Sequence, residues 1–304
     1  MGMRILSYCT ALLFLACGCM PPGKSGPVAS FDHGIIDGKV ISEDVYETND
    51  DVGPRVFRDI VLDVGDAGGT AAFTVSLPVE VPSDGLQCLI IMAGLGTGKL
   101  GLEAVPDHGD KALISYEYPP DFKLMREIRG ALHVPSVRRG AYDTPQQVVT
   151  IAQWVRKQEW SDGKPTAIIG ISAGAIMTPA TYHLANVQGQ ELGPGVIAYG
   201  GAGLCNIFYN IVPGYWFFRG PLAMAATMIF NKVEPGYHVQ RMHGEFLIVN
   251  GNGDLKIPSS AAEKLQDLAP EPKDIVNTDT THIQTHKKDV VIDLFNLTNE
   301  WLDQ

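Results

Sequence analysis

The sequence contains little cysteine, and three of its five cysteines lie close together near the N-terminus. Cys9, Cys17 and Cys19 precede residue 20, so only Cys88 and Cys205 remain for the rest of the 304 residues. Two cysteines are too few for the disulfide framework that small secreted domains need. Hydrophobic residues make up 45% of the chain and charged residues 19%, an ordinary globular composition. We therefore expect a fold held together by one large apolar core.

Basic residues are scarce relative to acidic ones. Lys and Arg number 23 against 34 Asp and Glu, which gives a formal net charge of −11. No basic cluster is longer than a pair such as Arg138-Arg139. Such a chain would repel a phosphate backbone unless it formed a local basic patch. The composition therefore argues against a nucleic-acid partner.

The N-terminal apolar run, residues 11–16, is too short to span a bilayer. It follows Arg4 and ends in small residues, as a secretory signal does, and we predict residues 1–18 as a signal peptide. Residues 15–19, Leu-Ala-Cys-Gly-Cys, resemble a bacterial lipobox, in which the cysteine after a small residue is lipidated. Cys19 is the predicted lipidation site, with Cys17 as the alternative.

Residues 19–30 are rich in Pro, Gly and Ser and are predicted to form a flexible tether behind the anchor. A diacylated cysteine anchors a protein stably without a spanning helix. We expect an exported protein that is bound to a bacterial membrane through its lipid anchor only. A periplasmic or secreted protein is expected if the cysteine is not lipidated.

Beyond the tether, short apolar runs alternate with helical patterns over residues 31–304, which we predict to be one domain. Strands are predicted at 73–77, 89–92, 112–116, 167–171, 196–199, 246–250 and 274–277, and helices at 144–160, 259–268 and 289–302. The helix at 144–160 is expected to start at an Asp143-Thr144-Pro145 cap. This alternation predicts the α/β class, with a doubly wound, mostly parallel sheet. Ligands of such sheets bind at the carboxyl ends of the strands.

The first glycine-rich loop, residues 92–100, does not match a nucleotide-binding motif. A phosphate loop would need Gly in place of Ala93 and a hydroxyl in place of Leu100, and the dinucleotide pattern would need Gly in place of Lys99. We interpret the segment as a strand-to-helix turn.

The second glycine-rich loop contains a GxSxG motif between a predicted strand and a helical segment. Residues 166–175 read Thr-Ala-Ile-Ile-Gly-Ile-Ser-Ala-Gly-Ala. This pattern is typical of a nucleophile elbow, a sharp turn whose central Ser172 is strained and exposed, so that its neighbours two positions away must be Gly. Ser172 is therefore the candidate nucleophile, and a purely structural turn is the alternative.

In this order of elements the sequence resembles the α/β-hydrolase superfamily over roughly residues 55–304. The resemblance implies a triad in which the acid follows the family's seventh strand and the histidine its eighth. Asp254 in the Asn-Gly-Asn-Gly-Asp segment after residues 246–250 matches the acid, and His282 matches the base, with His286 as its rival. The other histidines, His238 among them, lack the strand-end context, and His183 on the helix after Ser172 lies too far along it to reach the serine.

The resemblance also implies an oxyanion hole and a lid insertion. The oxyanion donors would be the backbone N–H groups of Leu95 and Ala173, with Gly94 and Gly96 as alternatives to Leu95. A lid is expected after the sixth strand, at about residues 203–243. Residues 204–230 hold seven of the 25 aromatic residues, which suits either an apolar acyl pocket or a small subdomain with its own core.

The implied function is that of a serine hydrolase that cleaves carboxylic esters of small-molecule acyl substrates through a Ser-His-Asp triad and an acyl-enzyme. No cofactor and no metal site are expected. Peptidase, thioesterase and acyltransferase chemistry on the same triad are alternatives, and so is a surface lipoprotein that uses an inactive hydrolase fold for binding. The sequence leaves the oligomeric state open.

Overall fold

The computed structural model describes residues 34–50, 53–105, 109–124, 133–212 and 215–304. The predicted signal peptide, Cys19 and the tether lie outside these residues. Within the described chain, no helix is both long and apolar enough to cross a membrane.

A single sheet of nine strands passes through the described part of the molecule. The strands are β1 (Lys39–Asp50), β2 (Gly53–Asp63), β3 (Thr70–Pro78), β4 (Cys88–Met92), β5 (Ala112–Glu117), β6 (Ala167–Ile171), β7 (Gly195–Ala198), β8 (Phe246–Gly251) and β9 (Lys273–Thr278). Their order across the sheet is β1-β2-β3-β5-β4-β6-β7-β8-β9. The first three strands pair antiparallel, β3 is antiparallel to β5, and all pairs from β5 to β9 are parallel. The predicted α/β class with a mostly parallel sheet is confirmed.

The strands β1 and β2 were not predicted from the sequence. Both faces of β1 are largely exposed, so its sequence lacks the apolar alternation that marks a half-buried strand. In β2, Arg55 is buried and donates hydrogen bonds to Ser76 Oγ at 2.7 Å and to the Lys111 carbonyl at 2.9 Å, which interrupts the apolar pattern at its start. The sheet therefore has two strands before the first predicted strand, residues 73–77.

Helices cover both faces of the sheet. They are α1 (Pro120–Lys123), α2 (Val134–Arg156), α3 (Ala173–Val187), α4 (Leu204–Ile211), α5 (Trp216–Phe230), α6 (Pro235–His238), α7 (Ser259–Leu268) and α8 (Lys288–Leu302). Ile90 of β4 packs into an apolar cluster with α2 and α3, whereas its neighbours Leu89 and Ile91 pack into a second cluster with α8. The sheet is thus buried on both faces, as the continuous apolar runs in its central strands require.

The predicted start of the helix at 144–160 is wrong. The helix α2 begins ten residues earlier than the Thr144 start, at Val134, and contains Pro145 in its interior. Thr144 Oγ1 donates to the Gly140 carbonyl at 2.9 Å. Gly140 lies against α1, where a Cβ atom would come within 2.8 Å of Phe122 Cβ. Burial of this first part of α2 against α1 outweighs the helix-breaking tendency of the proline.

Three helices, α4 to α6, fill the segment between β7 and β8 in which the lid was expected. The strand after which the lid was expected, the sixth in the family's order, is β7 of this sheet.

Candidate active site

Ser172 occupies the sharp turn between β6 and α3. The strand ends at Ile171, the helix begins at Ala173, and Ser172 between them has φ +56° and ψ −107°. A positive φ is rare for a residue with a side chain and stores strain that the surrounding structure must offset. The residue therefore has the backbone geometry of a nucleophile elbow.

The two glycines of the motif are required by close approaches of the backbone. A Cβ atom on Gly170 would lie 2.0 Å from Thr178 Oγ1, and one on Gly174 would lie 1.8 Å from the Met92 carbonyl oxygen. Both distances are far below any tolerated contact. The second approach also brings the end of β4 directly against the elbow.

Asp254 lies in the loop after β8, where its carboxylate is almost fully buried. Its Oδ1 accepts backbone N–H groups from Lys256 at 2.8 Å and Ile257 at 3.0 Å. Its Oδ2 lies 2.7 Å from His282 Nδ1. The two backbone donors fix the carboxylate, so one oxygen remains directed at the imidazole.

His282 joins the two groups. Its Nε2 lies 2.8 Å from Ser172 Oγ, and its Nδ1 faces Asp254. The structure thus brings Ser172, His282 and Asp254 into one hydrogen-bonded chain. The rival His286 is exposed and makes no hydrogen bond to any of the described residues. The geometry therefore favours His282 over His286 as the partner of the serine.

The loops that carry Asp254 and His282 are held against each other. A Cβ atom on Gly251 would lie 2.4 Å from the Thr280 carbonyl oxygen, and that oxygen accepts the Gly253 N–H at 3.0 Å. Asn252 Nδ2 donates to Asp279 Oδ1 at 3.0 Å. The glycines of this segment therefore allow the acid loop to pass close beside the histidine loop.

Tyr199 is a residue of this site that the sequence reading missed. It follows β7 with a positive φ of +55°, and its ring packs edge-on against the imidazole of His282. Its hydroxyl lies 2.8 Å from Thr280 Oγ1. A bulky residue in this backbone region is uncommon, and such strain is often found near active sites.

The loop expected to supply the second oxyanion donor is held at both ends. At one end, the Tyr118 hydroxyl donates to the Ala93 carbonyl at 2.7 Å. At the other, Lys99 N–H donates to the Glu117 carboxylate at 2.7 Å. Between them, the Gly94 carbonyl accepts the Thr97 N–H at 2.8 Å and closes a turn. The N–H groups of Leu95 and Gly96 inside this turn do not take part in that hydrogen bond. At the other side of the elbow, Ala173 is the first residue of α3, so its N–H lacks an intrahelical acceptor.

A pocket of about 130 Å³ opens at the serine. Its polar lining is confined to Ser172, His282 and Lys256; the remaining walls are apolar, with Phe122, Ala173, Ile176, Met177, Leu204, Ile207, Phe208, Ile211, Phe230, Val233 and Ile257. The floor comes from α3 and the far wall from α4 and the end of α5. The site therefore combines a polar reacting centre with an apolar chamber.

Only part of the aromatic cluster expected in residues 204–230 contributes to this pocket. Phe208 and Phe230 line it, whereas Tyr209, Tyr215, Phe217 and Phe218 are exposed. An aromatic residue from outside the cluster, Phe122 of α1, completes the wall. Among the described residues, no group of three or more His, Cys, Asp or Glu side chains is placed to hold a metal ion.

No protein-family model matches this chain, and neither does any curated protein sequence. Known structures do match it. Acetyl xylan esterase 1 from a Thermoanaerobacterium species superposes with a TM-score of 0.59 at 12% identity over 90% of both chains. An acetyl xylan esterase from a Paenibacillus species gives 0.61 at 16% identity, over 88% of this chain and 90% of that one. A putative dienelactone hydrolase from Klebsiella pneumoniae gives 0.54 at 14% identity, over 86% of this chain and 99% of that one.

These three structures have the α/β-hydrolase fold. Their likeness to this chain spans nearly its whole described length, and it shows that the chain has the same fold. At such low identity the likeness concerns the fold alone, so the chemistry must be argued from the residues of the site.

Proposed function

We propose that the protein is a serine hydrolase that cleaves carboxylic esters with compact apolar acyl groups. The observation that carries the proposal is the chain from Ser172 Oγ through His282 to Asp254, with both hydrogen bonds at 2.7–2.8 Å and the serine at a strained elbow. A structural turn would not need a buried carboxylate and imidazole aligned on its serine. The esterases among the structural neighbours support acyl transfer to water as the reaction class.

In the proposed mechanism, Ser172 Oγ attacks the carbonyl carbon of the ester while its proton passes to His282 Nε2. Asp254 Oδ2 accepts the hydrogen bond from His282 Nδ1–H, which holds the tautomer and stabilises the imidazolium. Collapse of the tetrahedral intermediate breaks the bond to the alcohol, which leaves with the proton from His282. Water then attacks the acyl-enzyme by the same steps in reverse and releases the acid.

The oxyanion of each tetrahedral intermediate would be held by backbone N–H groups. We propose Ala173 and Leu95 as the donors, because α3 starts at Ala173 and the loop that contains Leu95 leaves β4 at Met92, whose carbonyl lies against Gly174 of the elbow. The positive end of the α3 dipole adds to the stabilisation of negative charge at this point.

The size of the pocket limits the acyl group. A cavity of about 150 Å³ with apolar walls holds one benzene ring. The chamber beside Ser172, at about 130 Å³, is similar and would hold an acyl chain of about six carbon atoms. We propose that α4 and α5 act as the lid of this chamber, since Phe208 and Phe230 form its wall. Attachment at Cys19 and export remain part of the proposal.

The decisive test is labelling by a fluorophosphonate together with turnover of short aryl esters. We expect labelling in the wild type and none in Ser172→Ala. We expect turnover to fall by about 10⁴-fold or more in Ser172→Ala and His282→Ala. His286→Ala is the matched control and should retain nearly full turnover. A folded wild type that neither labels nor turns over any ester would leave the binding-module alternative in place.

A further inference from the structure

The outer surface of the helices over the pocket carries a cluster of exposed aromatic side chains. Tyr215, Phe217 and Phe218 are 75%, 51% and 56% exposed. Their rings touch one another, since the Tyr215 and Phe217 centroids lie 5.9 Å apart and those of Phe217 and Phe218 lie 4.4 Å apart. Exposed aromatic rings that contact each other form a surface, unlike scattered apolar residues.

The helices α4 and α5 carry further exposed apolar residues. We define the aromatic patch as Tyr209 and Ile211 of α4, Tyr215, and Phe217, Phe218, Leu222 and Met228 of α5, all between 40% and 75% exposed. The inner side of α5 is different, because Ala223 and Phe230 are buried against the molecule. The aromatic patch is therefore the outward side of helices that are already packed, and their own folding does not use it.

The charge around the aromatic patch differs from that of the whole protein. Residues 204–230 include no Asp or Glu, although the chain has 34 of them, and their one charged residue is Arg219. At the end of α5, Lys232 and Arg138 lie over the Tyr142 ring at 4.9 and 5.1 Å, and the Tyr142 hydroxyl donates to the Ile229 carbonyl. An acidic protein thus presents an apolar surface with basic residues beside it.

The aromatic patch is continuous with the candidate active site. Ile211 belongs to the patch and also lines the pocket of Ser172. Its neighbour Phe208 lines the same pocket from the inner side of α4. Whatever covers the patch would therefore lie beside the opening of the pocket.

We infer that the aromatic patch docks on the surface of a lipid bilayer that contains anionic lipid. Aromatic side chains favour the boundary between headgroups and acyl chains, where an apolar ring and a polar edge are both satisfied. Arg219, Lys232 and Arg138 complement anionic headgroups, which a surface with Asp and Glu would repel. In this docking the rings enter the headgroup region from the outer side of α4 and α5.

A second copy of the chain is a less suitable occupant. In a symmetric dimer the patch would face its own counterpart, and residues 204–230 of that counterpart contain no Asp or Glu that could pair with Lys232 and Arg138. The inference does not depend on hydrolysis, so its failure and that of the proposed function are separable.

The first test measures vesicle binding of the full chain with Cys17→Ser and Cys19→Ser, which removes the predicted lipidation sites. Vesicles of phosphatidylcholine, with and without phosphatidylglycerol, are sedimented with the protein. We expect Phe217→Ser with Phe218→Ser to weaken binding about tenfold or more, because two half-buried rings are lost from the interface. The matched control is Ile41→Ser with Val45→Ser on β1, where the side chains are equally exposed but far from the patch in the sheet.

The second test locates the contact and is independent of how strongly the N-terminal segment binds. An environment-sensitive fluorophore is attached through Leu222→Cys in the patch or, as the control, through Val45→Cys. Cys9, Cys17, Cys19 and Cys205 are replaced by serine. Cys88 can stay because burial raises the pKa of its thiol to about 12. On vesicles, we expect a blue shift and quenching by brominated lipid at position 222 only.

Three outcomes would overturn the inference. The first is equal vesicle binding by the Phe217→Ser, Phe218→Ser variant and the wild type. The second is a fluorophore at position 222 that detects no lipid on the vesicle-bound protein. The third is a dimer in lipid-free solution that the same double substitution dissociates, which would assign the patch to a second copy. Fluorophosphonate labelling of Ser172 in each variant reports on the proposed function separately.

Discussion

The ring of Tyr199 packs against the imidazole of His282, with centroids 6.0 Å apart and planes at 77°. The Tyr199 hydroxyl lies 2.8 Å from Thr280 Oγ1, and Thr280 in turn lies 2.7 Å from Thr278 Oγ1. Since Thr280 is two residues before His282, this contact ties the end of β7 to the loop that carries the histidine. Tyr199 is therefore a positioning residue for the imidazole.

We expect Tyr199→Phe to lower turnover several-fold without abolishing it. The ring contact with His282 persists, but the loss of one partly buried hydrogen bond loosens the loop and lowers the free energy of unfolding by about 1 kcal/mol. Turnover and urea denaturation of the variant check this. Tyr182→Phe is the matched control, because the buried Tyr182 hydroxyl donates to the Gly193 carbonyl at 2.8 Å, away from the serine. It should lose similar stability and keep full turnover, and an equal loss of turnover in both variants would contradict the positioning role.

A second prediction concerns the loop after β4. The Tyr118 hydroxyl is fully buried and holds the Ala93 carbonyl, which orients the peptide groups that follow it toward Leu95. We expect Tyr118→Phe to lower kcat about tenfold with little change in KM, because oxyanion donors act on the transition state more than on bound substrate. Steady-state kinetics on a short aryl ester measure the effects on kcat and on KM separately.

The control for this prediction is Tyr116→Phe, which lies two residues earlier on β5. The buried Tyr116 hydroxyl hydrogen-bonds to Gln147 Oε1 at 2.5 Å, on α2, and does not contact the loop. It should cost stability but leave kcat unchanged. A rise in KM with unchanged kcat in Tyr118→Phe would mean that the loop binds substrate without serving the transition state.

The central features of the site could be predicted because each has a local sequence cause. Gly170 and Gly174 flank Ser172 at the spacing that the elbow demands, and Asp254 follows a buried strand and a glycine turn. Such turns need particular residues at fixed offsets, so they leave a pattern in one chain.

The remaining features depend on tertiary contacts that leave no such pattern. Tyr199 and Tyr118 follow apolar runs, and nothing in those runs distinguishes a ring that supports a histidine or a loop from a ring in the core. Pro145 has the pattern of a helix start, and only the packing of Gly140 on Phe122 explains why the helix continues through it. Likewise, the exposure of Phe217 and the burial of Phe230 on one helix depend on how α5 rests on the molecule.

A third prediction concerns a buried pair of histidines that we did not expect from the sequence. His183 Nδ1 and His238 Nδ1 lie 3.0 Å apart, and His238 Nε2 lies 2.6 Å from the Lys232 carbonyl. The pKa of each imidazole is lowered from 6.5 to about 4, mainly by burial and to a smaller extent by repulsion from the nearby Arg241. Both histidines are therefore neutral in the folded protein near neutral pH.

The unfolded chain binds protons at these histidines below about pH 6.5, whereas the folded chain resists protonation until about pH 4. The pair is thus compatible with full stability above pH 6.5, and stability falls as the pH drops from 6.5 toward 4. Urea denaturation across this pH range should show the loss of stability. In the variant with His183→Gln and His238→Gln, the plot of unfolding free energy against pH should have a shallower slope, by an amount that corresponds to at most one proton for each histidine. An unchanged slope in that variant would assign the acid sensitivity to other groups.

The last prediction concerns the wall of the pocket. Phe208 lines the chamber and packs against Phe230 with ring centroids 5.6 Å apart, so Phe208→Ala would lengthen the chamber by about the size of one ring. For the wild type, kcat/KM should rise about fourfold for each methylene of the acyl group, since each buried methylene contributes about 0.8 kcal/mol, until the chamber is full at about six carbons. In Phe208→Ala the maximum of kcat/KM should move to longer acyl chains. Esters with short acyl chains should react more slowly, because they leave part of the chamber empty.

The control is Phe217→Ala, because the Phe217 ring is exposed and lies outside the chamber. This substitution should leave the dependence of kcat/KM on acyl chain length unchanged for soluble esters. If Phe217→Ala shifted the maximum and Phe208→Ala did not, the acyl group would have to bind on the outer surface of α5, and the proposed chamber would be wrong.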